Sequence, residues 1–193
     1  MVKKILATAP PSFCFRPAHP CDLAAIVAIY NESVAGKQAT ADLTPVTITD
    51  RQAWFYQHTD KRPLYVACDD HDASSLLGWG SLSDLYARPA YHISSEISVY
   101  VSERAKGQGV GRALVQRLLH DAPRCGIHQV VALVFAHNTP SLTLFRKLGF
   151  AEWGTYPQIC DMDGFIADVA ILGKTVATPS QYASQQASPQ GAK

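Results

Sequence analysis

The sequence predicts an α/β fold (an α+β three-layer arrangement) in which helices flank a mixed central sheet. Three observations carry this. Strand-like and helix-like segments alternate in the order β-α-α-β-β-β-α-β-α-β-β. Glu96 to Leu119 reads as a strand, a glycine-rich turn and an amphipathic helix in succession. Gln129 to Phe135 (QVVALVF) is an unbroken apolar run of strand length, as expected of a strand covered on both faces.

Taken in order, Phe13 to Pro17 is a short first strand. Asp22 caps a helix from Leu23 to Tyr30, with Leu23, Ile26, Val27 and Tyr30 on one face. A polar segment runs from Asn31 to about Asp42. Thr49 or Asp50 caps a second helix, Arg51 to His58, anchored by Trp54 and Phe55. Leu64 to Cys68 and Leu76 to Leu82 form a hairpin across the Asp69–Asp72 turn, and Asp84 to Tyr91 is a loop. Ile97, Val99, Tyr100 and Val101 suit a buried strand. Val110, Ala113, Leu114, Val115, Leu118 and Leu119 recur at helical spacing, and Gly126 closes that unit. After Gln129 to Phe135, a helix from Ser141 to Leu148 stops at Gly149, and strands at Phe150 to Tyr156 and Asp168 to Leu172 end the fold.

Composition narrows the function classes. The 193 residues are 47% hydrophobic, enough for one domain with a substantial core. A formal net charge of +1 gives no footprint for nucleic acid. No apolar run approaches the roughly 18 residues of a membrane span, and prolines 10 and 11 break the short apolar patch near the start. Residues 1–12 read as an N-terminal arm, 13–174 as the domain and 175–193 as a disordered tail. The five cysteines are odd in number and form no CxxC pair. They read as reduced, buried, inert thiols of a cytoplasmic protein, and with His128 and His137 they offer no metal-ligand spacing, so no metal is expected.

The turn Lys106-Gly107-Gln108-Gly109-Val110-Gly111 carries the chemistry. Its glycines let successive N–H groups point one way at a helix start, which makes an anion site from main chain. It lacks the GxxxxGK[ST] of a nucleotide P-loop, and Arg112 stands where a dinucleotide fingerprint needs glycine. It fits [Gln/Arg]-x-x-Gly-x-Gly/Ala, and so resembles the acyl-CoA pyrophosphate loop of the GNAT superfamily of N-acetyltransferases, with Lys106 at the first position. A second segment, Asn138-x-x-Ser141-x-x-Leu144-Phe145-x-x-Leu148-Gly149-Phe150, is similar to the one after the fifth strand of these enzymes. Arg16-Pro17-Ala18, Ile29-Tyr30-Asn31, Thr44-Pro45, Arg51-x-x-Trp54-Phe55 and Glu96-x-x-Val99-Tyr100-Val101 resemble the phosphinothricin acetyltransferase-like branch.

The resemblance implies a GNAT acyl-CoA N-acyltransferase fold with a V-shaped splay between strands 4 and 5, acetyl-CoA as donor, a small-molecule amine as acceptor, and frequent homodimers. It implies main-chain contacts to the cofactor from Val99, Tyr100 and Val101, and pyrophosphate contacts from Lys106, Gly107, Gln108, Gly109, Val110, Gly111 and Arg112. Asn138, Ser141 and Phe145 flank the pantetheine path, with a helix N-cap as the alternative role of Asn138. An attacking amine must first lose a proton, and Glu96 matches the family's acidic position and is the sole acid between Asp84 and Glu103. Its alternative is a strand-end salt bridge. Phe145 replaces the tyrosine that often protonates the leaving thiolate, so no acid is assigned. Tyr86 and His92 are candidates for the acceptor pocket. Met162-Asp163-Gly164-Phe165-Ile166 departs from the basic, aromatic KFGRW type of closing segment, which counts against phosphinothricin and other doubly acidic acceptors. The expected reaction is acetylation of an amino acid or an analogue of the phosphinothricin or methionine sulfoximine kind. The alternatives are a polyamine, aminoglycoside or protein N-terminus as acceptor, or a non-catalytic acyl-CoA-binding module.

Overall fold

A computed structural model describes residues 13–177. Its strands are β1 (Phe13–Pro17), β2 (Leu64–Asp69), β3 (Asp72–Asp84), β4 (Ser94–Val101), β5 (Gln129–Phe135), β6 (Ala151–Asp161) and β7 (Ile166–Thr175). Its helices are α1 (Leu23–Gly36), α2 (Ile48–Tyr56), α3 (Val110–Asp121) and α4 (Thr139–Lys147). The seven strands form one sheet in the order β1-β2-β3-β4-β5-β7-β6. All neighbours are antiparallel except β4 and β5, which run parallel.

That one parallel junction shapes the molecule. β4 and β5 pair only at Ser94↔Gln129, Ser95↔Val130 and Glu96↔Val131, although β4 continues to Val101 and β5 to Phe135. Beyond Glu96 the two strands part, which is the V-shaped splay expected between strands 4 and 5. Backbone groups on the facing edges then have no ladder partner there.

Helices cover both faces. α1 and α2 pack Ile26, Val27, Tyr30 and Phe55 on Val66, Leu76 and Trp79. α3 and α4 pack Leu118, Leu142 and Phe145 on Ile97, Val130, Ala132 and Leu172 from the opposite side. Leu114 and Leu118 are fully buried, and such burial stabilises by about 1.5–3 kcal/mol per side chain. Two glycines of β3 set how closely α3 approaches. A Cβ at Gly80 would lie 3.0 Å from Leu118 Cδ1, and one at Gly78 would lie 2.8 Å from the Tyr100 carbonyl oxygen. Trp79, between them, turns to the other face and donates from Nε1 to the Ile26 carbonyl.

Several boundaries move from their sequence-based positions. α1 runs past Tyr30 to Gly36, because Asn31 and Glu32 find partners off the helix: Asn31 pairs with the Val46 backbone and Glu32 accepts from Ser102 and Glu103. α2 is capped by Thr47, with Asp50 returning the capping box. β3 spans thirteen residues, since β2 and β4 both pair with it. α4 starts at Thr139 under an Asn138 cap. β7 continues to Thr175, Val176 donates to the His128 carbonyl, and Ala177 is buried, so the folded unit reaches at least Ala177. The expected arm, 1–12, and the rest of the expected tail, 178–193, lie outside the described residues. The cysteines also differ from expectation. Cys68 is buried, Cys14 and Cys21 are exposed, and Cys125 and Cys160 are half-buried.

Candidate active site

Two cavities meet at the splay. The larger, about 610 Å³, runs along the glycine turn and the start of α3. Val99, Tyr100, Val101, Lys106, Gly107, Gly109, Val110, Gly111 and Arg112 line it, with Glu32 and Gln38 on the far wall. The smaller, about 290 Å³, lies deeper between β4 and β5 and is walled by Glu96, Ser98, Thr40, Leu133, Phe145 and Cys160. Gln38, Ala39, Val99, Tyr100, Asn138 and Ser141 border both. The groove over the turn and the chamber therefore adjoin at the strand fork.

The groove is built from backbone. Gly107 and Gly109 have φ of 75° and 87°, left-handed values that favour glycine. A Cβ on either would meet nothing within 4 Å, so both α-carbons face open space. Gly111 has a different role: its Cβ would lie 3.3 Å from Val101 Cγ2, so it lets α3 sit close on β4. The first intrahelical bond of α3 is Ala113 N–H to the Gly109 carbonyl, which leaves the N–H groups of Val110, Gly111 and Arg112 free of helical partners at the positive end of the helix dipole. Gln108 differs from its neighbours. Its N–H goes to Ala105, its side chain to Arg104, and it does not line the groove. Lys106 pairs with Glu103 on the surface, and Arg112 makes no ion pair among the described residues. This set of free N–H groups, an open glycine cradle and two nearby cations fits a pyrophosphate.

In the chamber, Glu96 alternates along β4 with the buried Ser95 and Ile97 and shares a face with Ser98 and Tyr100. It is half-buried and has no ion pair or hydrogen-bonded side-chain partner among the described residues, so the strand-end salt bridge does not form. Burial alone raises its pKa above the ordinary glutamate value. Among the described residues, no Lys or Arg side chain lines the chamber. Tyr100 donates from its hydroxyl to the Ala39 carbonyl (3.0 Å). Burial pushes its phenol far above the usual range, which makes it a poor proton donor to a thiolate.

A strap formed by residues 37–39, which the sequence does not flag, closes the fork. Lys37, at φ 48°, sends Nζ to the Met162 and Asp163 carbonyls (2.8 and 2.6 Å). His137 Nε2 contacts the Lys37 carbonyl at 2.9 Å, and Asn138 Nδ2 donates to the Gln38 carbonyl at 2.8 Å. Asn138 Oδ1 accepts from Ser141 N–H as the cap of α4. Asn138 thus joins the helix start to the strap that borders both cavities. Tyr86 and His92 are not brought to either cavity: Tyr86 packs on Tyr91, and His92 Nδ1 contacts the Pro89 carbonyl in a short turn.

Comparison with known proteins agrees with this geometry. Residues 25–150 match the model of the acetyltransferase (GNAT) family. The chain belongs to that family and is an N-acetyltransferase. It is 48% identical over 162 residues to YwnH of Bacillus subtilis, provisionally named a phosphinothricin acetyltransferase, covering 84% of this chain and 98% of that one. It is 35% identical over 162 residues to an L-methionine sulfoximine/L-methionine sulfone acetyltransferase of Pseudomonas aeruginosa, covering 83% and 93%. The crystal structure of a phosphinothricin acetyltransferase from Sinorhizobium meliloti in complex with acetyl-CoA superposes with a TM-score of 0.80 at 30% identity, over 85% of this chain and 88% of that one.

Proposed function

We propose that the protein transfers the acetyl group of acetyl-CoA to the primary amine of a small molecule, an amino acid or analogue of the methionine sulfoximine kind. The observation that carries this reading is a half-buried carboxylate, Glu96, with no ion-pair partner among the described residues, in a chamber that opens onto a main-chain anion groove.

Acetyl-CoA supplies an activated acetyl thioester when bound. The free N–H groups of Val110, Gly111 and Arg112 hold its pyrophosphate, with Arg112 and Lys106 adding charge at the rim. The Lys106–Glu103 pair is an exposed contact of little strength, so exchanging it for a phosphate costs little. In the chamber, Glu96 attracts the acceptor's ammonium and takes its proton, directly or through water, to expose the lone pair. Its raised pKa brings it closer to the amine as a proton acceptor. Main-chain N–H groups of β4 past the fork are donors for the oxygen on which negative charge develops. Phe145, and Tyr100 with its hydroxyl donated to the Ala39 carbonyl, leave the departing thiolate without a dedicated acid.

The chamber's size, about 290 Å³, favours a small acceptor over an aminoglycoside. Its lack of cations disfavours a doubly anionic one, so methionine sulfoximine should outperform phosphinothricin. We propose in addition a cytoplasmic homodimer, supported by the exposed Trp153 and Ile159 along the edge strand β6. The test is acetyl-CoA-dependent thiol release, corrected for protein thiols, with amino acids, methionine sulfoximine, phosphinothricin, spermidine and an aminoglycoside. Turnover confined to spermidine or the aminoglycoside would replace the reading, and none with any amine would favour a binding module.

A further inference from the structure

Away from the groove, two thiols oppose each other across the first strand pair. Cys14 and Cys68 are direct partners in the β1–β2 register, which runs unbroken from Phe13↔Asp69 to Pro17↔Tyr65. Burial raises the Cys68 thiol pKa, and Cys14 is among the groups that bear on it. Directly opposed residues on antiparallel strands have Cα atoms about 4.5–5.5 Å apart, inside the about 4.4–6.8 Å that a disulfide spans. The backbone is already in place, and only side-chain rotation is required. The two differ in access: Cys14 is exposed on the edge strand, whereas Cys68 is fully buried beneath α1. Arg16, two residues along the same face of β1, carries a guanidinium beside the pair and binds Asp22. Cys21 is the other exposed thiol of this corner, in the turn before α1.

We propose that Cys14 and Cys68 form a thiol modification site that takes a low-molecular-weight disulfide and converts it into a cross-strand disulfide pinning β1 to the sheet. The Cys14 thiolate, its proton lost to water, attacks one sulfur of the small disulfide. The S–S bond breaks, and one small thiolate leaves with the electron pair and takes up a proton. The Cys68 thiolate then attacks the Cys14 sulfur of the mixed disulfide, and the second small thiol departs. The protein loses two protons and two electrons, and the small disulfide gains them as two thiols. Exposed Cys14 meets the reagent and buried Cys68 resolves it. Burial raises the Cys68 pKa, which lowers its thiolate fraction for the second step. The closed loop runs from β1 through α1 and α2 to β2, whose buried residues pack together on one face of the sheet.

The test equilibrates the full-length protein with glutathione disulfide and glutathione at set ratios, blocks free thiols, and maps peptides by mass. The expected product is lighter by two hydrogens and yields a Cys14–Cys68 linked peptide. The link persists in Cys21→Ser and is absent from Cys14→Ser. The oxidised protein should melt about 8–17 °C above the reduced one, as closure of a loop of this length predicts, with no such rise in Cys14→Ser. A Cys14–Cys21 link, a lasting glutathione adduct on Cys14, or fully reduced thiols at every ratio would each overturn the proposal.

Discussion

Replacing Glu96 with glutamine removes the chamber's charge while keeping its shape. A positioned general base contributes about 10²–10⁴-fold, so turnover should fall by that factor with acetyl-CoA affinity nearly unchanged. The pH dependence follows from burial, which raises the Glu96 pKa. The base form is lost as pH falls through that raised value, so the acid limb of the wild-type rate profile should lie above the ordinary glutamate range near about 4.3. The variant should lack that limb. Stability should move the other way. The folded state holds this proton more tightly than the unfolded state, so the stabilising contribution is full below the unfolded pKa and lost as pH rises through the folded one. At neutral pH the ionised carboxylate therefore costs stability. Glu96→Gln should melt higher near pH 7, with the difference closing in acid. Thiol release with methionine sulfoximine across pH, together with thermal melts, reads both effects. Unchanged turnover with the acid limb retained, or a lower melting point at neutral pH, would refute the reasoning.

Other consequences are equally concrete. Gly78→Ala puts a Cβ 2.8 Å from the Tyr100 carbonyl oxygen, a backbone atom that cannot rotate away. Overpacking of this kind costs about 1–3 kcal/mol, to be measured by urea unfolding. Asn138→Ala removes the α4 cap and the tether to Gln38. It should cost about 1–2 kcal/mol and raise the acceptor KM. Lys37→Met frees the strap from the Met162 and Asp163 carbonyls. It should raise the acceptor KM several-fold while acetyl-CoA affinity, measured by calorimetry, stays near wild type.

The order of elements was legible because each core face repeats at its own period: Leu114 and Leu118 on α3, and the unbroken run of β5. The glycine turn was legible because left-handed backbone at Gly107 and Gly109 needs glycine. The extension of α1 was not. Asn31 and Glu32 read as polar breakers, and their partners lie 15 to 71 residues away. The strap was hidden for the same reason, since Lys37 and Gln38 meet residues 100 to 126 positions along the chain. Burial of cysteines was misjudged because hydrophobic neighbours in sequence do not show that β1 is an edge strand, which leaves Cys14 exposed. The fork itself was visible only through family resemblance, because no local pattern states where β4 and β5 stop pairing.

The central claim is that main chain around Gly109 holds the donor. Gly109→Val aims a branched side chain into the open cradle and strains a left-handed residue. Titration calorimetry of acetyl-CoA into wild type and variant tests this directly. The account predicts saturable binding by wild type and at least about tenfold weaker binding, roughly 1.4 kcal/mol, by a Gly109→Val protein that still melts cooperatively. No heat of binding in the wild type, or equal affinity in both proteins, would contradict it.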